Sequence, residues 1–323
     1  MKINGNKFAE IYSKYGMFII LILIVIICAS LSDVFLTPTN ISNVLRNMSI
    51  VALVAFGMTF LLTLGMIDLS AGSVMALSGC VACLVIRDTG SVIGGILVGI
   101  LVGTLFGLIS GMVVAYFKIP AFIATLATQN VARGFAYIIV SGVPVSGMGE
   151  AFKVLGQGYI DPWNVIPTPI VIMFGFLLLT WVILNRTKFG RHVFAVGGNL
   201  NAARMSGVNI KKTVIKAFLL NGMLVGVAGV LLMSRLNSGQ PNGALGYEFD
   251  AITAAVVGGT SLMGGFGSVT GTFIGCLIIG SLNNIMNLRG ITSPWQLVVK
   301  GVIIALAVII DFKTKAMLHK QEG

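Results

Sequence analysis

Two charges stand where an apolar chain should have none. Asp68 lies in GMIDLSAG (65–72) and Arg133 in ATQNVARG (127–134). A charge among apolar spans is costly and is a functional candidate for that reason. Two roles are open to Asp68. It can cap a helix starting at Leu69 by accepting an orphan backbone N–H, or it can line or gate a polar path. Arg133 either snorkels to the outer head groups or faces such a path. Gln129 and Asn130 lie beside it, and uncharged hydrogen-bonding groups suit a hydroxylated solute. Lys300, flanked by apolar residues, is expected to snorkel.

Other chemistry is poorly supported. Cys80-x-x-Cys83 has neither a second cysteine pair nor a nearby histidine, so no redox or metal site is expected there. Cys28 and Cys276 read as small hydrophobes. His192 and His319 have no Ser, Cys or carboxylate neighbours that form a catalytic set. No G-x-x-x-x-G-K-[ST] phosphate loop occurs. The glycine-rich run 258–271 lacks a lysine and reads as close helix packing. The chain is therefore expected to be no enzyme and to hold no cofactor.

The elements that position these residues are membrane helices. Of 323 residues, 56% are hydrophobic and only 10% charged; the mean hydropathy is +0.99. A soluble surface needs about 25% charged residues, so the expectation is an all-α polytopic membrane protein in one domain, 1–323. Ten spans are predicted, at 17–31, 48–64, 74–86, 92–116, 122–140, 169–184, 214–233, 251–263, 269–282 and 294–310. The segments 74–86 and 251–263 are shorter than the roughly 20 residues of a full crossing. Pro38 is expected to break the outer segment 32–47. Short loops rich in Lys and Arg stay inside, which places both termini in the cytoplasm. The net charge of +11 then reflects loops and ends rather than a nucleic-acid partner. Asp33, Asp88, Glu150, Asp161, Glu248 and Asp250 fall in segments expected outside. Gly95, Gly99, Gly103, Gly107 and Gly111 make a stripe on one face of the fourth span. Small residues let helix backbones approach closely in lipid, so packing within the chain is the preferred reading over a dimer seam. Gly72-Ser73-Val74 and Gly267-Ser268-Val269 match, but three residues are little evidence of a repeat.

The longest mostly polar interruption is the loop 186–216. It carries Arg186, Lys188, Arg191, Arg204, Lys211, Lys212 and Lys216, and no acid. Gly197-Gly198 are expected to break the chain and Asn199 to N-cap a helix of about two turns over 200–206. Gly207 suits the left-handed position after its last turn. Ala202, Met205 and Val208 fall roughly on one face, so this short helix is shaped to dock into another protein.

Five stretches, FGRHVFAVGGNLNAARMSGVN (189–209), GMIDLSAGSVMALSG (65–79), KIPAFIATLATQNVARG (118–134), YEFDAITAAVVGGTSLMGGFGSVTGTFIG (247–275) and WQLVVKGVIIALAVIID (295–311), cover most of the chain. In combination they resemble the permease subunit of ATP-binding-cassette importers for ribose and other monosaccharides. The resemblance implies a permease of the bacterial cytoplasmic membrane, with a coupling loop at 185–213. It implies that Asn199, Asn201, Ala202, Ala203, Arg204, Met205, Ser206 and Gly207 form the helix that docks on a separate ATPase subunit. It further implies a homodimer and a periplasmic or lipid-tethered sugar-binding protein, to which Arg235, Glu248 and Asp250 are candidate contacts. Other pentoses, hexoses or sugar-like signals are alternative solutes. The rival from another class, a self-sufficient secondary transporter, needs paired carboxylates or unwound helix ends. Asp68 has no carboxylate near it in sequence.

Overall fold

The computed structural model describes residues 5–160 and 166–319; Lys2, Asp161 and Lys320 lie outside them. Among the described residues the chain forms thirteen helices. They are α1 (Gly5–Leu31), α2 (Pro38–Thr63), α3 (Ala71–Thr89), α4 (Val92–Phe117), α5 (Ala121–Ile139), α6 (Glu150–Gln157) and α7 (Thr168–Arg186). After these come α8 (Lys188–Gly198), α9 (Leu200–Met205), α10 (Ile210–Leu236), α11 (Tyr247–Val257), α12 (Val269–Leu288) and α13 (Ser293–His319). Isolated bridges, Val145 with Gly239 and Tyr159 with Pro167, tie loops together.

Local chemistry fixes many of the boundaries. Pro38 does not break the outer segment. It sits in the first turn of α2, where its missing N–H costs nothing, and Thr37 caps it by accepting from Asn40 N. Ser91 caps α4, and Gly90 ends α3 at φ +71°.

Six helices among the described residues are long and apolar enough to cross a membrane: α2, α3, α4, α7, α10 and α12. Gly16–Leu31 and Ser293–Leu306 are shorter apolar helices. The segment 74–86 belongs to the 19-residue α3. The segment 251–263 is a true half-span, because α11 has only 11 residues. α5, which carries Gln129, Asn130 and Arg133, is not among the six.

The bundle is built around α2 and α10. In their most apolar windows 78% and 89% of residues are buried, against 22% for α4. Ile93, Leu97, Leu101 and Leu105 of α4 point away from the protein, the surface a lipid-facing helix presents. Its glycine stripe points the other way, to α3 and α10. A Cβ on Gly103 would lie 2.6 Å from both the Gly222 carbonyl and the Gly226 Cα. The stripe is therefore packing within the chain.

The contacts also give the direction of each helix. Thr59 with Thr272 and Asn40 with Asn284 make α2 and α12 antiparallel. Gly95 against Ile86 and Gly99 against Ala82 make α3 and α4 antiparallel. Gly99 against Val230 and Gly111 against Phe218 do the same for α4 and α10. α3 and α10 therefore run the same way, opposite to α4. Gly72-Ser73 lies in the first turn of α3, and Gly267-Ser268 precedes α12.

Candidate functional site

The basic loop is a structured elbow. Thr187 caps α8, accepting from Gly190 N at 3.2 Å. Asn199 caps α9, accepting from Ala202 N at 2.9 Å, and Asn209 caps α10, accepting from Lys212 N at 3.0 Å. Gly207 has φ +78° and follows the last turn of α9, as the sequence requires. The sequence reading missed α8, which ends at Gly198, so the break before α9 falls where Gly197-Gly198 and Asn199 place it. The available signal was Phe189, Val193 and Val196, apolar at helical spacing behind a capping threonine. Gly197 serves close approach. A Cβ on Gly197 would strike the Thr63 carbonyl, and Gly265 N donates to that same carbonyl at 2.8 Å. Phe189 stacks on Phe60 of α2, with ring centroids 6.0 Å apart. The elbow is in this way fastened to the end of α2.

On α9, Ala203 is buried and faces the chain. Asn201, Ala202, Arg204, Ser206 and Gly207 are exposed, and Met205 is 87% exposed. The outward face is therefore that of Ala202 and Met205, while Ala203 packs inward.

Beyond Thr63 the chain turns back into the bundle, and Asp68 is only 4% exposed. Its Oδ1 accepts from Ser70 N at 2.8 Å and Ser70 Oγ at 2.6 Å. Its Oδ2 accepts from Asn221 Nδ2 at 2.6 Å. Asn221 lies near the middle of α10, so α3 begins inside the bundle rather than at its edge. α11 begins there too. A Cβ on Gly72 would collide with the Glu248 carboxylate and the Ala244 carbonyl. Two helix starts thus meet in the interior, each carrying about half a positive charge. Arg133 adds a third positive group. Its Nε donates to Ser73 Oγ at 3.2 Å, and its Nη1 donates to the carbonyls of Pro241 at 2.6 Å and Gly243 at 3.0 Å. Arg133 reaches inward and does not snorkel. Asp68 and Glu248 are the two carboxylates that face these positive groups.

The remaining site residues divide. Asn130 Nδ2 donates to Leu126 O and is exposed on α5, and Gln129 beside it is half-buried. Glu248 and Asp250 do not face outward; they are 4% and 8% exposed. Asp250 pairs with Lys300 at 2.9 Å, so Lys300 also turns inward rather than snorkelling. Arg235, in the last turn of α10, is half-buried. The sequence reading put Arg235, Glu248 and Asp250 in an outer segment, whereas the structure places them in α10 and α11.

This bundle, with its lipid-facing apolar surface and buried polar centre, is that of a multi-pass integral membrane protein. The chain belongs to the family described as the branched-chain amino acid transport system / permease component, which matches residues 40–308. It is 45% identical over 312 residues to a ribose import permease protein of Bacillus subtilis strain 168, covering 96% of each chain. It is 41% identical over 314 residues to an L-arabinose transport system permease protein of Escherichia coli K12, covering 97% of this chain and 95% of that one. It is 35% identical over 362 residues to a xylose transport system permease protein of Haemophilus influenzae, covering 93% and 96%. No solved structure gives a significant match.

Proposed function

We propose that the chain is the membrane-spanning permease subunit of an ATP-binding-cassette importer in the bacterial cytoplasmic membrane. Its solute is ribose or a related pentose, and a separate subunit hydrolyses ATP. The observation that carries this reading is the elbow α8–α9, exposed on one side and fastened to α2 on the other. The full-length similarity to pentose permeases supports the solute class.

The proposed mechanism follows the packing contacts from the elbow to the end of α2. The ATPase subunit grips the face of α9 that carries Ala202 and Met205. Its movement passes through α8 to the Thr63 carbonyl and so to the end of α2. The segment 64–70 carries the displacement to Asp68, where α3, α10 and α11 meet. Two copies of the chain surround the path, with Gln129 and Asn130 of α5 as solute-contacting groups and Arg133 as a brace behind them. Rocking of packed helices then exposes the path to one side or the other. In this reading the chain has ten membrane-inserted segments with both termini and the elbow in the cytoplasm, a topology that the Lys/Arg asymmetry supports. The opposite end meets the sugar-binding protein, where half-buried Arg235 is a contact only if the rim around it opens.

The test is reconstitution of the chain with its ATPase and binding protein in liposomes. ATP-dependent accumulation of labelled ribose, arabinose or xylose is expected, with no accumulation when the ATPase is omitted. ATP-independent uptake by the chain alone, driven by a proton or sodium gradient, overturns the reading.

A further inference from the structure

Beside the elbow lies a cavity of about 670 Å³ between the α4–α5 turn, the segment 65–67, α9 and the start of α10. Its walls are mostly apolar, with Val114, Ile119, Ile210 and Val214 among them, and three cations reach it, Lys118, Arg204 and Lys211. No Asp or Glu lines it. The acid-free surroundings extend far along the chain, since no carboxylate occurs at 89–149 or 162–247. None of the three cations takes part in an ion pair among the described residues. Lys211 is held over the Tyr116 ring, with Nζ 4.7 Å from its centroid.

We infer that this cavity binds an anionic phospholipid of the cytoplasmic leaflet, with its phosphate among Lys118, Arg204 and Lys211 and an acyl chain along the apolar wall. Basic pockets between membrane helices on the cytoplasmic side take anionic head groups. A neutral sugar needs no cations, and a free phosphate needs no apolar wall; a phospholipid uses both. The ATPase is not the favoured occupant, because Ala202 and Met205, on the proposed docking face, do not line the cavity. The lipid would sit against Leu200 and Arg204 on another side of α9 and wedge the elbow against α4. The leaflet rests on the topology proposed above; the site does not.

The experiment is native mass spectrometry of the full-length chain, purified in mild detergent and titrated with phosphatidylglycerol or phosphatidylethanolamine. Preferential retention of phosphatidylglycerol is expected. Lys118→Gln with Lys211→Gln should weaken it at least tenfold, and Lys118→Arg with Lys211→Arg should retain it. Elution volume and thermal midpoint report whether each variant is folded. Equal binding of the two lipids, or full retention by the folded Gln variant, overturns the proposal. Displacement of the lipid by equimolar inorganic phosphate overturns it in favour of a small-anion site. Loss of binding on dimerisation of the wild type overturns it in favour of a second copy filling the cavity. Detergent is blind to sidedness, so a negative result counts against the site whatever the topology. Binding together with outside exposure of residue 201 refutes only the leaflet.

Discussion

Asn221 of α10 donates to Oδ2 of Asp68 at 2.6 Å, joining residues 153 apart in sequence at the interior start of α3. A Cβ on Gly57 of α2 would lie 2.9 Å from the Asn221 Cα, so three segments meet at this amide. Asn221→Ala removes one of three donors to a buried carboxylate. Hydrogen bonds to charged groups are worth about 1.5–3 kcal/mol, and a loss of about 2 kcal/mol is expected. The check is the thermal unfolding midpoint in detergent, which should fall for Asn221→Ala. An unchanged midpoint means that the pair is not structural.

Arg133 bridges α5 to Ser73 and to the loop carbonyls of Pro241 and Gly243. Lysine keeps the charge but lacks the planar fork. Arg133→Lys is expected to insert and dimerise normally and to transport at one tenth of the normal rate or less. Uptake per copy of assembled complex is the measurement. Full activity would show that charge alone suffices there.

Met205 is 87% exposed, so Met205→Asp leaves the fold of the chain untouched and places a charge at the proposed ATPase contact. A loss of about 3 kcal/mol weakens association more than a hundredfold. Gly207→Val strains a backbone at φ +78° and should misplace the end of α9. Pull-down of the ATPase and solute uptake should fall together in both variants. Ala203→Asp is a poorer probe, because Ala203 is buried against its own chain and a charge there disturbs the elbow itself. Retention of partner and transport by both Met205→Asp and Gly207→Val would reduce the elbow to a connector.

Topology has a clean readout. Cys28, Cys80, Cys83 and Cys276 are all buried, so a thiol introduced by Asn201→Cys on exposed α9 stands out against a quiet background. Impermeant maleimide should not modify it in intact cells and should modify it in inverted vesicles. Strong labelling from outside inverts the orientation.

Much of the elbow was legible because its signals are local. Asn199, Gly207 and the row of lysines and arginines act within a turn or two of themselves. The glycine stripe of α4 was legible as a face, and its partner helix was not, since Gly222 and Gly226 lie more than a hundred residues away. Pro38 was misread, because proline breaks helices in general but here occupies a first turn. Gly197-Gly198 do end α8, and the close approach of Gly197 to the Thr63 carbonyl was not legible. The meeting of Asp68, Arg133 and Glu248 was beyond reach, because it depends on two helices, α3 and the short α11, starting inside the bundle. The same long-range packing turned Glu248 and Asp250 inward, although the acidic stretch around them reads as a solvated loop.

Where Gly103 meets Gly222 and Gly226, main chain rests on main chain. Side chains can yield to a neighbour by changing rotamer; peptide groups in a helix cannot. α4 and α10 therefore form a keel, a beam with no slack along its seam, and α3 is laid onto it through Gly79 and Gly229. Any working stroke must carry these three helices as one piece. The connectors are held by main chain as well, the segment 64–70 by Gly264 against Gly65 and the loop 237–246 by its Ala244 carbonyl against Gly72, so the pieces that bring Asp68 and Glu248 to the centre are tied to the helices they join.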